Sequence, residues 1–276
     1  MSRALPLHAE ARRQLGRRRT KFSFGFLLAL PLILVGAFAL GDDPERGDRG
    51  GSGASDFVDL AQTGAANFTI FALFASTGFL LVVLVALFAG DSVPSEASWS
   101  TLRYLLTAPV PRRRLLVQKL VVGLLTGLTA LVVLPVWSLL VGGLVYGWGD
   151  FADPLGRTIG SSSFLLRLTV IVGYLFVHLL FVACAGFLIG VLTDAPLAAV
   201  GGAVLITIVS VILDSISALG DVRNALPTHY QFAWVQALDQ NLTVGDMDRG
   251  VLWALGYAAV LLTAAFVVFE RKDVLS

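Results

Sequence analysis

The residues able to do chemistry are few and lie apart from one another. His8, His178 and His229 stand singly, and Cys184 is the only cysteine among 276 residues. A lone thiol rules out an internal disulfide framework and a cysteine-built metal cluster. The chain has no Gly-x-x-x-x-Gly-Lys-Ser/Thr phosphate loop, no His-Glu-x-x-His and no Gly-x-Ser-x-Gly. Phosphate-loop ATP hydrolysis, zinc peptidase chemistry and serine hydrolysis therefore lack their usual residues. The expectation is a chain with no catalytic residues, no metal ligands and no cofactor of its own. Two intramembrane features remain. Asp214 sits in an apolar stretch, where a carboxylate is costly enough to imply a role or a partner, although Gly220 is only two turns away and water within reach. Tyr174 and His178 are one helical turn apart and suited to line a polar passage; a satisfied buried histidine is the plainer alternative.

The most informative polar segment is 90–114. Ser92 or Ser95 can cap a helix whose first turn holds Glu96 at the positive end of the dipole, and Pro109 and Pro111 end it. The spacing predicts a surface helix with Trp99, Leu102, Leu105 and Leu106 on one face, a pattern suited to lying in a groove of another protein or on a membrane. Arg112, Arg113 and Arg114 follow, and then Lys119. A charged loop demanded by sidedness alone accounts for the arginines but not for the capped apolar face.

These residues are positioned by a chain that is 56% hydrophobic and 14% charged, with a mean hydropathy of +0.81. That much apolar surface is hidden most simply by lipid. A net charge of +1 argues against nucleic acid as a partner. Stretches long enough to cross ~30 Å of hydrocarbon occur at residues 22–40, 68–89, 115–145, 167–192, 197–219 and 251–269. The fold class expected is an all-α membrane protein of six transmembrane helices forming a single domain. Lys119 lies near the start of the third span, where its side chain can snorkel to the interface. The fourth and fifth spans are parted only by Thr193-Asp194-Ala195-Pro196, a tight helical hairpin.

Fourteen of the 20 basic residues fall before the first span, between the second and third, or after the sixth; six fall on the other side, whose first loop is rich in aspartate. Both termini are therefore expected in the cytoplasm, with the chain a multi-pass protein of the inner (plasma) membrane. The arginine-rich start also resembles a cleavable signal, but its apolar run is longer than a signal core of ~7–15 residues. Residues 1–21 are either a short amphipathic helix on the anionic leaflet or a basic tail held by charge alone. Residues 41–67, rich in Gly, Ser and Asp, suggest a linker. Residues 220–250 are too polar to span and too apolar for a free loop, which suggests short re-entrant helices on the outer side before the last span. The pairs Gly142-Gly143 and Gly201-Gly202, with Gly186 and Gly190, suggest close helix contacts.

The order Glu96, Thr101-Leu102, Leu105-Leu106, Pro109-Val110, Arg112 to Arg114 and Lys119 resembles the loop after the second span in permease subunits of ABC-2-type transporters, with Ser100 where glycine is usual. Leu226-Pro227, Tyr230 and Trp234 resemble the outer region before the last span of such permeases. The resemblance implies that residues 91–114 form a cytoplasmic coupling loop, in which Glu96, Trp99, Thr101, Leu102, Leu105 and Pro109 face a separate ABC ATPase subunit. It also implies a second permease copy, ATP and Mg in the partner subunit, and outward movement of a substrate. Arg112, Arg113, Arg114 and Lys119 would meet lipid headgroups. A membrane-embedded enzyme or a non-transporting anchor is the alternative.

Overall fold

A computed structural model describes residues 7–41, 53–95, 112–239 and 245–271, with the side chains of 53–56 and of Arg112 left aside. Among the described residues, ten α-helices run in the order α1 (Leu7–Gly16), α2 (Arg18–Gly41), α3 (Gly53–Ala61), α4 (Ala65–Thr77), α5 (Leu80–Gly90), α6 (Arg112–Val145), α7 (Ser161–His178), α8 (Leu180–Leu192), α9 (Pro196–Asp214) and α10 (Gly245–Arg271). Two 3-10 helices, Ser217–Ala225 and Ala233–Leu238, fill the stretch before α10. A two-stranded hairpin, β1 (Phe151–Ala152) and β2 (Thr158–Ile159), joins α6 to α7.

Among the described residues, five helical segments are long and apolar enough to cross a membrane: α2, α6, the near-continuous α7–α8, α9 and α10; the bent pair α4–α5 makes six if taken as one span. The architecture is that of a mostly helical, multi-pass membrane protein. The α7–α8 segment is its centre, with 67% of its most apolar stretch buried, against 17% for α2 and α10. Those two helices and α9 turn apolar side chains such as Phe26, Leu205 and Val260 outward, the face that lipid covers.

The second span departs from the straight helix expected over 68–89. α4 and α5 meet at 59° because Ser76 and Thr77 both turn their hydroxyls back onto the Leu73 carbonyl, and Phe79 leaves helical geometry (φ −139°, ψ −58°). Hydroxyl back-bonding of this kind bends helices. The expected linker also contains structure, since α3 occupies part of it. The fourth span begins earlier than hydropathy indicated, at Ser161. Asp150 fastens that start by accepting from the backbone N–H and hydroxyl of Ser161 (2.9 and 2.8 Å). Arg167 does not mark a helix boundary; its guanidinium donates to the Ala237 carbonyl (3.0 Å) and to that of Asp239. The fifth span stops at Asp214, short of the expected 219, and Pro196 opens it at the first helical turn.

Glycines draw the central helices together. A Cβ on Gly190 would stand 2.5 Å from the Gly90 carbonyl oxygen, and one on Gly123 2.8 Å from that of Phe88. Gly186 faces Gly90, Gly142 faces Ala65 and Phe68, and Gly202 faces Ile189, whereas Gly201 meets nothing within 4 Å. Small residues allow this approach and the dispersion contact it brings, the main attraction between helices in lipid.

Candidate functional site

Two clusters of charged and polar side chains stand at opposite ends of the bundle. At one end lie the roots of residues 96–111, which themselves fall outside the described residues; Glu96, Trp99, Thr101, Leu102, Leu105 and Pro109 are among them. The root before this segment is the end of α5 and the turn at Asp91. Asp91 is 3% exposed and is gripped by Arg17 (3.3 Å) and Arg19 (2.7 Å). Burial pushes its carboxyl above the ordinary carboxylate range, against the opposing pull of Arg19 and Arg17. Gln14 donates to the Phe88 carbonyl one turn earlier (3.4 Å), satisfying an acceptor that the helix end leaves open.

The root after the segment is the start of α6. Lys119 is 2% exposed and pairs with Glu10 of α1 at 3.1 Å. The expectation that Lys119 snorkels to headgroups is therefore corrected: α1 lies across α6 and supplies a carboxylate, so the ammonium stays inside with a partner. Arg113, expected at headgroups, pairs with Glu270 near the end of α10, and Arg114 is exposed. Val93, Leu116, Leu120, Phe187, Val191, Ala265 and Phe269 form a separate apolar cluster beneath these ion pairs. Of the two expectations for the N-terminus, a helix is the one found over 7–16. Its sequence signal was Glu10 and Gln14 at helical spacing, which put an acid and an amide on the face that meets α5 and α6.

At the opposite end the 217–238 stretch forms a wedge. The Tyr174 hydroxyl donates to the Tyr230 carbonyl (2.6 Å), the Tyr257 hydroxyl to that of Ala225 (2.7 Å), and Ser210 and Thr228 share a buried hydrogen bond (2.7 Å). Phe232 packs on Phe74 with ring centroids 4.8 Å apart, beside the bend of α4–α5. Trp234 is fully buried. The wedge thus reaches well down α4, α7 and α10. Beside it lies a cavity of about 390 Å³ lined by His229, Tyr230, Phe232, Gln236, Asp246 and Arg249 among others; the Gln236 amide donates to Asp246 (2.7 Å).

Asp214 is the last residue of α9 rather than a residue of its interior. Its carboxylate pairs with His229 Nδ1 at 2.5 Å, and Arg223 donates to its backbone carbonyl (3.2 Å). Sequence reasoning singled out Asp214 and missed His229, since the 15-residue separation crosses two turns with no periodicity. Both side chains are about one quarter exposed. Asp214→Asn or His229→Ala is expected to lower stability by about 1 kcal/mol, as for a partly solvated charge-assisted hydrogen bond. Thermal unfolding in detergent measures it, and the double variant should cost little more than either single one.

Tyr174 and His178 come together as expected, stacked with centroids 5.8 Å apart and 19° between planes. Both are buried. Among the described residues His178 Nδ1 has no hydrogen-bond partner. Cys184 is free and buried. No curated protein matches the chain. Residues 48–275 match the family described as "Protein of unknown function (DUF2705)", and the chain belongs to that family.

Proposed function

We propose that the chain is the permease subunit of an ATP-driven ABC-2-type exporter, working with a second permease copy and a separate ATPase subunit. The observation that carries this proposal is the ordered set Glu96, Thr101-Leu102, Leu105-Leu106, Pro109-Val110 and Arg112 to Arg114, set between two roots that the bundle holds by buried contacts. A lever is useful only if its fulcrum is stiff. Asp91 and Lys119 supply such a fulcrum, because each is buried and ion-paired. The bend of α4–α5 beside Phe232 supports the same proposal, since broken helices packed against irregular segments are common where transporters move. In this scheme the loop end is cytoplasmic and the 217–238 wedge enters the outer leaflet. Reporter fusions after Ser276 and within residues 42–59 are expected to give opposite sidedness; the same sidedness for both would refute a six-span chain.

The coupling role has its own test. Trp99→Ala and Leu102→Ala should each weaken ATPase docking by about 1–2 kcal/mol, on the order of tenfold in affinity, as expected for apolar interface anchors. Glu96→Ala should act less, as a rim charge. Copurification of the ATPase and its stimulation by the permease are the measurements. Basal hydrolysis by the free ATPase should survive, since the phosphate chemistry belongs to the partner. Unchanged docking and stimulation in all three variants would defeat the coupling role.

A further inference from the structure

We infer that α1 is a two-faced sensor of the lipid surface: its outward face binds anionic phospholipid headgroups, and its inward face carries that binding to both roots of the 96–111 segment. The inward face makes three grips. Glu10 holds Lys119, Gln14 holds the Phe88 carbonyl, and Arg17 with Arg19 holds Asp91. Those contacts join α1, the turn after it and the first residues of α2 to residues on either side of the segment.

The outward face is composed differently. His8, Arg12 and Leu15 are exposed and neighbours around the helix, and Leu15 is 52% exposed. The face continues onto α2, where Arg18 and Lys21 are exposed just ahead of Phe22 (77%) and Phe26 (57%). Cations followed within one turn by exposed aromatic rings, at the start of a helix long enough to span, mark the level at which headgroups give way to hydrocarbon. The occupant of this face is therefore the leaflet itself. Its charge sign follows from Arg12, Arg18 and Lys21, each worth about fivefold in partitioning onto an anionic surface.

The two faces run along α1 and the first turn of α2, with Glu10, Gln14, Arg17 and Arg19 turned inward and Arg12, Leu15, Arg18 and Lys21 outward, so seating the outward face favours the geometry in which the inward grips close. A leaflet rich in anionic lipid then narrows the positions that the loop roots adopt. This deepens the proposed coupling role and takes its functional meaning from it, but its test needs no ATPase and stands or falls separately.

The full chain, spin-labelled at His8→Cys and Arg114→Cys, both exposed positions, is reconstituted in vesicles of phosphatidylcholine alone or mixed with phosphatidylglycerol; the buried Cys184 is replaced by alanine. The expected result is one narrow inter-label distance with phosphatidylglycerol and a broader distribution without it. Raising salt should broaden the narrow distribution by screening the cations. The variant Arg12→Gln/Arg18→Gln/Lys21→Gln should lose the lipid response, while Glu10→Gln/Arg17→Gln/Arg19→Gln should give a broad distribution in both vesicles. Identical distributions in the two vesicles for the unmodified helix, no effect of salt, or a lipid response that survives loss of the outward cations would each overturn the inference. A narrow distribution after loss of the inward grips would overturn the transmission half of it.

Discussion

Lys119→Met should be among the most damaging single substitutions at the loop end, and Glu10→Leu made in the same chain should largely undo the damage. The Glu10 carboxylate is 14% exposed and the Lys119 ammonium 2%. Removing the ammonium leaves Glu10 desolvated beside an apolar side chain, which costs on the order of 3 kcal/mol when a buried pair loses one member. Replacing both members by apolar groups of similar volume is close to neutral, because the desolvation cost of the pair goes with its attraction. The loss has a ceiling, however. α1 can swing away and return Glu10 to water, so the damage appears first as release of α1 rather than as unfolding of the spans. Hydrogen exchange over residues 7–16 should therefore rise strongly in Lys119→Met and return near its original rate in the double variant, with α7 and α8 unaffected throughout. Asp91→Asn makes a useful contrast. Burial already holds that carboxyl above its ordinary range, so the folded chain binds this proton more readily than the unfolded one. The stability linked to it is present at low pH and lost as pH rises through the raised value. Neutralising Asp91 should accordingly cost less than breaking the Glu10–Lys119 pair. Equal exchange rates at α1 in all these variants would mean that the ion pairs do not hold it.

How much of this was legible beforehand depended on whether the signal was local. Apolar length alone located the long apolar helices, because hydrocarbon thickness is a one-dimensional constraint that each segment meets by itself. The Thr193 to Pro196 hairpin was equally plain, since its proline and polar residues lie within the turn they make. The bend in the expected second span was not, although Ser76, Thr77 and Gly78 are adjacent; any of them is tolerated in a straight helix, and neither spacing nor hydropathy marks Phe79 as the residue that leaves helical geometry. Lys119 was misplaced for a related reason. Sequence tells how far a lysine can reach but not that a carboxylate 109 residues away has been brought to meet it. Arg167 shows the same point from the other side: a charge that looks like the edge of a span is accommodated once the carbonyls of Ala237 and Asp239 are folded over it. Pairs such as Asp214 with His229 belong to tertiary structure and leave no spacing to read.

Gly190→Leu is expected to separate α8 from α5 and to destabilise the bundle, whereas Gly173→Leu should be almost silent. A Cβ on Gly190 would stand 2.5 Å from the Gly90 carbonyl oxygen and 3.1 Å from the Pro94 ring, and backbone cannot step aside as a flexible side chain can. A Cβ on Gly173 meets nothing within 4 Å, and leucine there gains helix propensity of about 1 kcal/mol over glycine. Overpacking of a tight core costs about 1–3 kcal/mol. The upper end applies here because α8 must move as a unit, taking with it Phe187 and Val191, which belong to the apolar cluster under the loop roots along with Val93 and Phe269. Displacing α8 therefore loosens the base from which Asp91 and Lys119 are held, and a defect in helix packing becomes a defect in the placement of residues 96–111. Two measurements separate the steps. The midpoint of thermal unfolding in detergent should fall by several degrees for Gly190→Leu, with Gly190→Ala intermediate and Gly173→Leu unchanged or raised. Hydrogen exchange at α1 should rise in the same order. If Gly190→Leu lowers the midpoint while α1 stays as protected as before, the loop roots are held by their ion pairs alone and the apolar cluster beneath them plays no part.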